Sequence, residues 1–311
     1  MPLRGARAAI RRAAGAAAAM ALYALSEDAQ RILFVQLCNV LEPRIVVYFS
    51  STSSELRELT QALLQQLRAD HEAAAALCLK VKLRSCKKLR EAKKARWLYM
   101  RLSEADLVTL GTLASVLPAL EELSLVQDPG AAGPDGVQRL AAGLGAGALP
   151  AVTYFSLESM HVGDAGASAL AAALGRGALP RLMRLYLTNA AIGDAGLVAL
   201  APALRQPPAL ETLGLESNPL GDDGIAALVA PPPLAGALSP PAGGGVLVGL
   251  KKLYLGFTHI TDVGCAALAS ALDRGTLPAL RELRLLNIPA SVAAKGAVHA
   301  ALATSRATIP S

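Results

Sequence analysis

Histidine and cysteine, the residues that most often bind metals or act in catalysis, are few and scattered in this sequence. The four histidines are His71, His161, His259 and His299, and the four cysteines are Cys38, Cys78, Cys86 and Cys265. A zinc site requires short fixed spacings such as HExxH or CxxC, and neither pattern occurs. The spacing therefore predicts no metal site and no disulfide framework. It is typical of reduced thiols in an intracellular protein.

Aspartates recur in a Gly-Asp phrase, which raises the question of carboxylate chemistry. They are Asp164, Asp194 and Asp222, and Asp262 takes the same position after Thr261. Each comes directly before an apolar helical pattern, where a carboxylate can accept hydrogen bonds from the free amides of the first turn. Their spacing follows the repeat described below rather than a catalytic pair. We therefore interpret these aspartates as helix caps.

Motifs for nucleophilic catalysis and for phosphate binding are missing from the sequence. It contains no GxSxG and no GxxxxGK[ST]. Gly143, Gly145 and Gly147 imitate a phosphate loop, but they lead into Leu149-Pro150 and are interpreted as the end of a helix. We predict no catalytic residue, no cofactor and no metal, and we expect a protein that is not an enzyme.

A unit of about thirty residues repeats through the C-terminal two-thirds of the chain and supplies its structural elements. Its marker leucine recurs at Leu125, Leu157, Leu187, Leu215, Leu255 and Leu285. Leu185 and Leu187 alternate with Tyr186, as in a strand with one buried face. Residues 197–204 then carry leucines at helical spacing. This pattern predicts an α/β solenoid with a curved parallel sheet inside and helices outside.

The phrase LxxLxL followed by GDxG and a helix resembles the leucine-rich repeat, in particular the ribonuclease-inhibitor-like subtype with a full helix in each unit. The resemblance covers residues 117–311, and a degenerate unit consisting of a helix alone is expected at residues 102–116. The turn asparagine of that family is present at Asn218. The equivalent positions hold Met160, Ala190 and Thr258. We assign residues 102–311 to the repeats.

Side chains between the buried leucines should point into the concave side of the sheet. We select the following as candidate partner-binding residues: Tyr154, Glu158, Arg184, Tyr186, Glu216, Lys252, Tyr254, Glu282 and Arg284. Tyrosine and arginine are frequent anchors of protein interfaces, although exposed strands also favour tyrosine for structural reasons. We expect a protein partner on this surface. Tyr186→Ala should weaken its binding and leave the Tm nearly unchanged.

Positive charge is concentrated in the N-terminal third. Residues 1–101 hold 18 Lys and Arg against 8 Asp and Glu, whereas residues 102–311 hold 12 against 16. The densest stretch, residues 80–96, is interpreted as a solvated helix face, with a nuclear-import signal or a phosphate-contacting patch as the alternatives. Nucleic acid is not expected as a partner, and no apolar run is long enough to span a membrane.

The first hundred residues divide into two regions. Residues 1–24 form a basic, Ala-rich stretch that we interpret as a disordered tail, with a targeting segment as the alternative. Residues 25–101 are predicted to be helical, and within them residues 25–60 resemble an F-box through Leu25, Glu42-Pro43-Arg44 and a following helix. That resemblance implies a ubiquitin-ligase substrate receptor that contacts a Skp-type adaptor. A helical cap on the solenoid is the other interpretation of residues 25–60.

Residues 230–249 interrupt the repeat with a Pro- and Gly-rich insertion. We interpret it as a flexible excursion, and a polyproline ligand is the less favoured alternative. For the whole chain, the repeat resemblance also leaves open a GTPase-activating or sensor-type regulator, or a plain scaffold. A cytoplasmic or nuclear location is expected, with import into an organelle as the alternative.

Overall fold

The computed structural model describes residues 39–43, 47, 54–126, 132–206, 209–230 and 247–307, without the side chains of 54–60 and 307. Within these ranges the helices are α1 (Ser54–Lys80), α2 (Cys86–Glu91), α3 (Glu104–Leu113), α4 (Gly133–Gly143), α5 (Gly163–Gly175), α6 (Asp194–Leu204), α7 (Asp222–Val229), α8 (Asp262–Asp273) and α9 (Val292–Ala307). The strands are β1 (Lys94–Leu98), β2 (Glu122–Val126), β3 (Tyr154–Glu158), β4 (Arg184–Tyr186), β5 (Thr212–Gly214), β6 (Lys252–Tyr254) and β7 (Glu282–Arg284).

The strands form one parallel sheet in which each strand pairs with the next along the chain, in the order β1 to β7. Equivalent residues pair directly: Phe155 lies opposite Leu185, Leu185 opposite Leu213, and Leu213 opposite Leu253. Each repeat returns to the sheet through a helix. Because packed helices need about 8–10 Å between axes and strands only about 4.8 Å, the array curves with the sheet inside. The predicted α/β solenoid is confirmed.

One hydrophobic core runs the length of the described solenoid. The marker leucines Leu125, Leu157, Leu187, Leu215 and Leu255 are fully buried, and Leu285 in the last repeat is 6% exposed. The same core includes the helix leucines and continues into α1 and α2. Equivalent leucines therefore stack from one repeat to the next, as the sequence predicts.

The aspartates do cap helices, but all four accept hydrogen bonds from the start of the helix in the following repeat. Asp194 begins α6, and its Oδ1 accepts hydrogen bonds from the amides of Gly221 (2.6 Å) and Gly224 (2.9 Å), at the start of α7. Gly193 and Gly221, the residues directly before α6 and α7, have no side chain that could cap. The carboxylate of the preceding repeat supplies the missing acceptor. We expected each aspartate to cap the helix of its own repeat, but in the structure it caps the helix of the next repeat.

The same contact recurs along the array. Asp164 accepts from the amides of Gly193 and Gly196, Asp222 accepts from those of Thr261 and Gly264, and Asp262 accepts from that of Ser291. A Cβ at Gly224 would lie 2.6 Å from Asp194 Oδ1. The second glycine of the GDxG phrase is therefore needed so that the carboxylate can approach the helix.

Asn218 fixes the turn after β5, as the family resemblance implies. Its Oδ1 accepts from the amides of Ala190 (3.0 Å) and Ile192 (3.1 Å) in the previous turn. Its Nδ2 donates to the carbonyls of Leu187 (2.7 Å) and Leu215 (2.9 Å). This buried side chain joins two consecutive repeats.

The repeats begin earlier than the leucine pattern predicts. β1 lies before residue 102, inside the region predicted to be helical, and pairs with β2 in register. Ala95 and Trp97 take the places of the strand leucines and are both 4% exposed. The first unit is therefore a strand followed by α3, and not a helix alone.

The stretch 80–96 is not a single helix face. Lys80 ends α1, the middle of the stretch forms α2, and Lys94 begins β1. Several of its cations are paired: Lys80 with Asp106 (2.5 Å), Arg90 with Glu42 (2.5 Å) and Lys93 with Glu121 (3.0 Å). These ion pairs join α1, α2 and the approach to β1 to neighbouring elements.

Helix α1 extends well beyond the F-box-like residues 25–60. It runs from Ser54 to Lys80 and packs against α3. Residues 1–24, most of 25–60, Cys38 and most of the insertion 230–249 lie outside the described residues. Three cysteines lie within the described residues, and Cys78, Cys86 and Cys265 are all buried free thiols.

Candidate protein-binding surface

The exposed side of the sheet carries the candidate residues in rows that run across the strands. We call this surface the concave face and define it by its strand positions. The first row is Lys94, Glu122, Tyr154, Arg184, Thr212, Lys252 and Glu282, and the second is Arg96, Ser124, Ser156, Tyr186, Gly214, Tyr254 and Arg284. The third row follows each marker position: Leu98, Val126, Glu158, Thr188, Glu216, Gly256 and Leu286. The structure brings all nine candidates onto this one face.

In the N-terminal part of the concave face, the charged side chains form ion pairs with one another. Glu122 lies between Lys94 (3.4 Å) and Arg96, whose guanidinium makes a bidentate contact with the carboxylate. The hydrogen bond from Arg96 is the main reason that the pKa of Glu122 is lowered. Glu122 is only 9% exposed. The charges of this cluster are therefore largely satisfied within the protein.

The centre of the concave face is aromatic. The ring centroids of Tyr154 and Tyr186 are 5.2 Å apart, with 35° between the ring planes. The guanidinium of Arg184 lies 5.5 Å from the Tyr154 ring centroid, within cation–π range. Partial burial is the main cause that raises the pKa of both tyrosines, so both hydroxyls remain protonated at neutral pH.

Gly214 gives the Tyr186 ring its position. A Cβ at Gly214 would lie 2.6 Å from Cδ1 of Tyr186, because the ring leans over this glycine. Tyr154 supports the ring from the preceding strand. Tyr186 is therefore held on two sides, and its side chain is about half-buried before any partner binds.

The C-terminal part of the concave face is a second ion-pair cluster. Glu282 pairs with Lys252 (3.2 Å) and Arg284 (2.6 Å), and hydrogen bonds from these cations lower its pKa. The Arg284 guanidinium lies 4.5 Å from the ring centroid of Tyr254. Tyr254 is only 8% exposed. This candidate anchor is thus buried, and Arg284 offers the accessible surface in its place.

A family model described as Leucine Rich repeat matches residues 180–201, 207–229 and 250–269. These segments match the leucine-rich repeat pattern. The matched ranges contain β4, β5 and β6, three consecutive strands of the sheet. A comparison with curated proteins found no match.

Solved structures are similar to this chain at low identity. Leiomodin-1 actin-binding site 2 shares 16% identity over 56% of this chain and 89% of that chain, with a TM-score of 0.41. The TLR13–ssRNA13 complex gives 19% identity, 68% and 35% coverage, and a TM-score of 0.32. An internalin (inlF) from Listeria monocytogenes gives 12% identity, 72% and 92% coverage, and a TM-score of 0.18.

Two exposed apolar residues beside the last repeats were not among the candidates. Leu286 is 62% exposed at the end of the third row, and Phe257 is 52% exposed in the turn after β6. Phe257 has a φ of 57°, which is unusual for an aromatic residue. The marker-leucine register places Phe257 two positions after Leu255, so its place in the turn could have been read from the sequence.

Nothing in the described part of the chain resembles a metal site, since no three His, Cys, Asp or Glu side chains come together there. Among the same residues, no helix has both the length and the apolar character needed to cross a bilayer.

Proposed function

We propose that the leucine-rich repeats bind a protein partner through the concave face and that this binding involves no catalysis. The observation that supports the proposal is the Tyr154–Tyr186–Arg184 cluster. The Tyr186 ring packs against Tyr154 and over Gly214, so little conformational entropy is lost when a partner orders it. Rigid tyrosines and arginines at the centre of a surface are the residues that contribute most to protein interfaces.

Affinity purification with mass spectrometry, carried out with the full chain as bait, tests this proposal. Proteins that bind the concave face should be retained by the unaltered chain and lost with the double variant R184E/Y186A. A matched bait, Arg306→Ala, removes an exposed cation from α9, away from the sheet. Equal recovery of the same proteins with all three baits would rule out the concave face as the binding surface.

We also assign the repeats to the ribonuclease-inhibitor-like subtype. In the described repeats from the second onward, an α-helix follows each strand. The shortest of these helices is α7 (8 residues) and the longest is α9 (16 residues). The support for this assignment is the GDxG phrase, whose aspartate connects consecutive helices. Asp164→Ala should therefore weaken protection of the α6 amides in hydrogen exchange, and unchanged protection would argue against the assignment.

The F-box-like segment supports a narrower function, in which the protein is a substrate receptor of a ubiquitin ligase. Val40 and Glu42 contact α1 and α2: Glu42 pairs with Arg90, and His71 Nδ1 lies 2.7 Å from the carbonyl of Val40. These contacts fit the cap interpretation as well. Co-purification of the full chain with a Skp-type adaptor separates the two. If the adaptor is retained by the full chain and lost when residues 25–38 are deleted, the receptor function is supported. If the full chain retains no adaptor, the cap interpretation is left.

A further inference from the structure

The charges of the concave face are not balanced evenly. The cations of the two end clusters all lie near Glu122 or Glu282. In contrast, Glu158 and Glu216 have no cation within 4 Å in the described structure; the carboxylate of Glu158 accepts only the Ser156 hydroxyl, at 2.8 Å. The third row therefore presents two unneutralised carboxylates to whatever enters the face.

Glu216 lies beside an apolar surface made by the next two repeats. The Cβ position of Gly256 is 3.6 Å from Glu216 Oε1 and 3.5 Å from Leu286 Cβ, so the carboxylate and the leucine lie on either side of a residue that has no side chain. Leu286 is mostly exposed, and its carbonyl accepts the amide of exposed Phe257 at 2.8 Å. A carboxylate, a leucine and a phenylalanine thus lie on consecutive strands and their turns.

One competing cation on the face, Arg284, is already engaged. Arg284 is close enough to Glu216 for the two charges to interact, but its guanidinium hydrogen-bonds Glu282 and lies over the Tyr254 ring. Moving Arg284 to Glu216 would give up both contacts. Glu216 is therefore left available to a cation from outside the chain.

We infer that the concave face receives a basic side chain of its protein partner, with the methylene stem on Leu286 beside Phe257 and the charged head at Glu216. This inference rests on the proposed function and names the chemistry of the partner. Lysine and arginine combine an apolar stem with a cationic head, which matches this arrangement. A second basic side chain of the same segment would meet Glu158, two strands and about 10 Å away. An acidic segment would be repelled by both carboxylates.

A phage-displayed library of random peptides, selected on the immobilised full chain, tests this inference. The selected peptides should carry Arg or Lys next to an apolar residue. Their affinity should fall about tenfold or more with Glu216→Gln, because a charge-assisted hydrogen bond is lost. Glu72→Gln makes the same chemical change at an exposed position of α1, away from the sheet, and should leave the affinity unchanged.

The remaining outcomes separate this inference from the proposed function. Peptides whose binding is lost with Tyr186→Ala but not with Glu216→Gln would overturn the basic partner and leave the concave face as the binding surface. Peptides that ignore both substitutions would count against both. Selection of acidic peptides, or of no peptide at all, would also overturn the basic partner.

Discussion

Tyr186 and Gly214 act as a pair, because the ring of one occupies the space that a side chain of the other would need. Gly214→Ala must displace that ring, since the new Cβ would lie 2.6 Å from it. Overpacking of this kind costs about 1–3 kcal/mol. In the Tyr186→Ala background the same substitution should be nearly neutral. Urea denaturation of the wild type, both single variants and the double variant measures the difference. An equal cost in both backgrounds would place the strain in the backbone.

The same contacts revise one expectation from the sequence. Tyr186→Ala was expected to leave the Tm nearly unchanged, but Tyr186 packs against Tyr154 and over Gly214. We now expect a moderate fall in Tm together with weaker partner binding.

Of the concave face, only the rows of residues across the strands could be predicted from the sequence, because they follow from the repeat register. The lean of the ring over Gly214 depends on side-chain rotamers that no spacing encodes.

Asp222 links stability to pH through the cap that it provides to α8. Partial burial opposes ionisation, but hydrogen bonds from the hydroxyl and amide of Thr261 and from the amide of Gly264 outweigh it and lower the pKa of Asp222. A lowered folded-state pKa gives stability that is present above the unfolded value of about 3.9 and is lost as the pH falls through the folded value. Asp222→Asn should therefore be less stable than the wild type at pH 7, and the Tm difference should shrink towards pH 2. A constant difference would show that the charge of Asp222 is unimportant.

At the scale of elements, β1 is a strand that the leucine pattern does not indicate. Lys94 and Arg96 alternate with buried Ala95 and Trp97, which is the period of a strand with one buried face. The dense positive charge of residues 80–96 favoured a helix face instead, and the missing leucines removed the family signal. The aspartates were also predicted only in part. Their capping role could be predicted from the sequence, but which helix each aspartate caps depends on the distance between neighbouring repeats.

Helix α1 closes the N-terminal end of the solenoid through one buried side. Leu77 is 1% exposed within the common core, whereas Leu79, two residues later, is 75% exposed. Leu77→Ala should lower the free energy of unfolding by about 2–5 kcal/mol, because it removes buried methyl groups and leaves a cavity. Leu79→Ala should change it by less than about 0.5 kcal/mol. Urea denaturation of both variants measures these values. Similar small effects for both would mean that α1 adds little to the core.

At the scale of the whole molecule, the parallel sheet continues across the longest repeat. β5 and β6 pair in register, with Thr212 opposite Lys252, although the insertion 230–249 separates them in sequence. In a solenoid each repeat is stabilised mainly by its neighbours, so residues that join no neighbouring repeat add chiefly the entropy of a longer loop. Each doubling of loop length costs only about 0.6 kcal/mol.

Deletion of residues 233–242 should therefore leave the fold intact and change the free energy of unfolding by less than about 1 kcal/mol. The shortened chain should keep the urea m-value of the wild type, because the surface exposed on unfolding hardly changes. A matched deletion of the same length, residues 194–203, removes most of α6 and with it the Asp194 cap of α7, and should abolish cooperative unfolding of the central repeats. If the deletion of 233–242 were as damaging as the loss of α6, the insertion would be a structural part of the solenoid, packed against the helices that flank it.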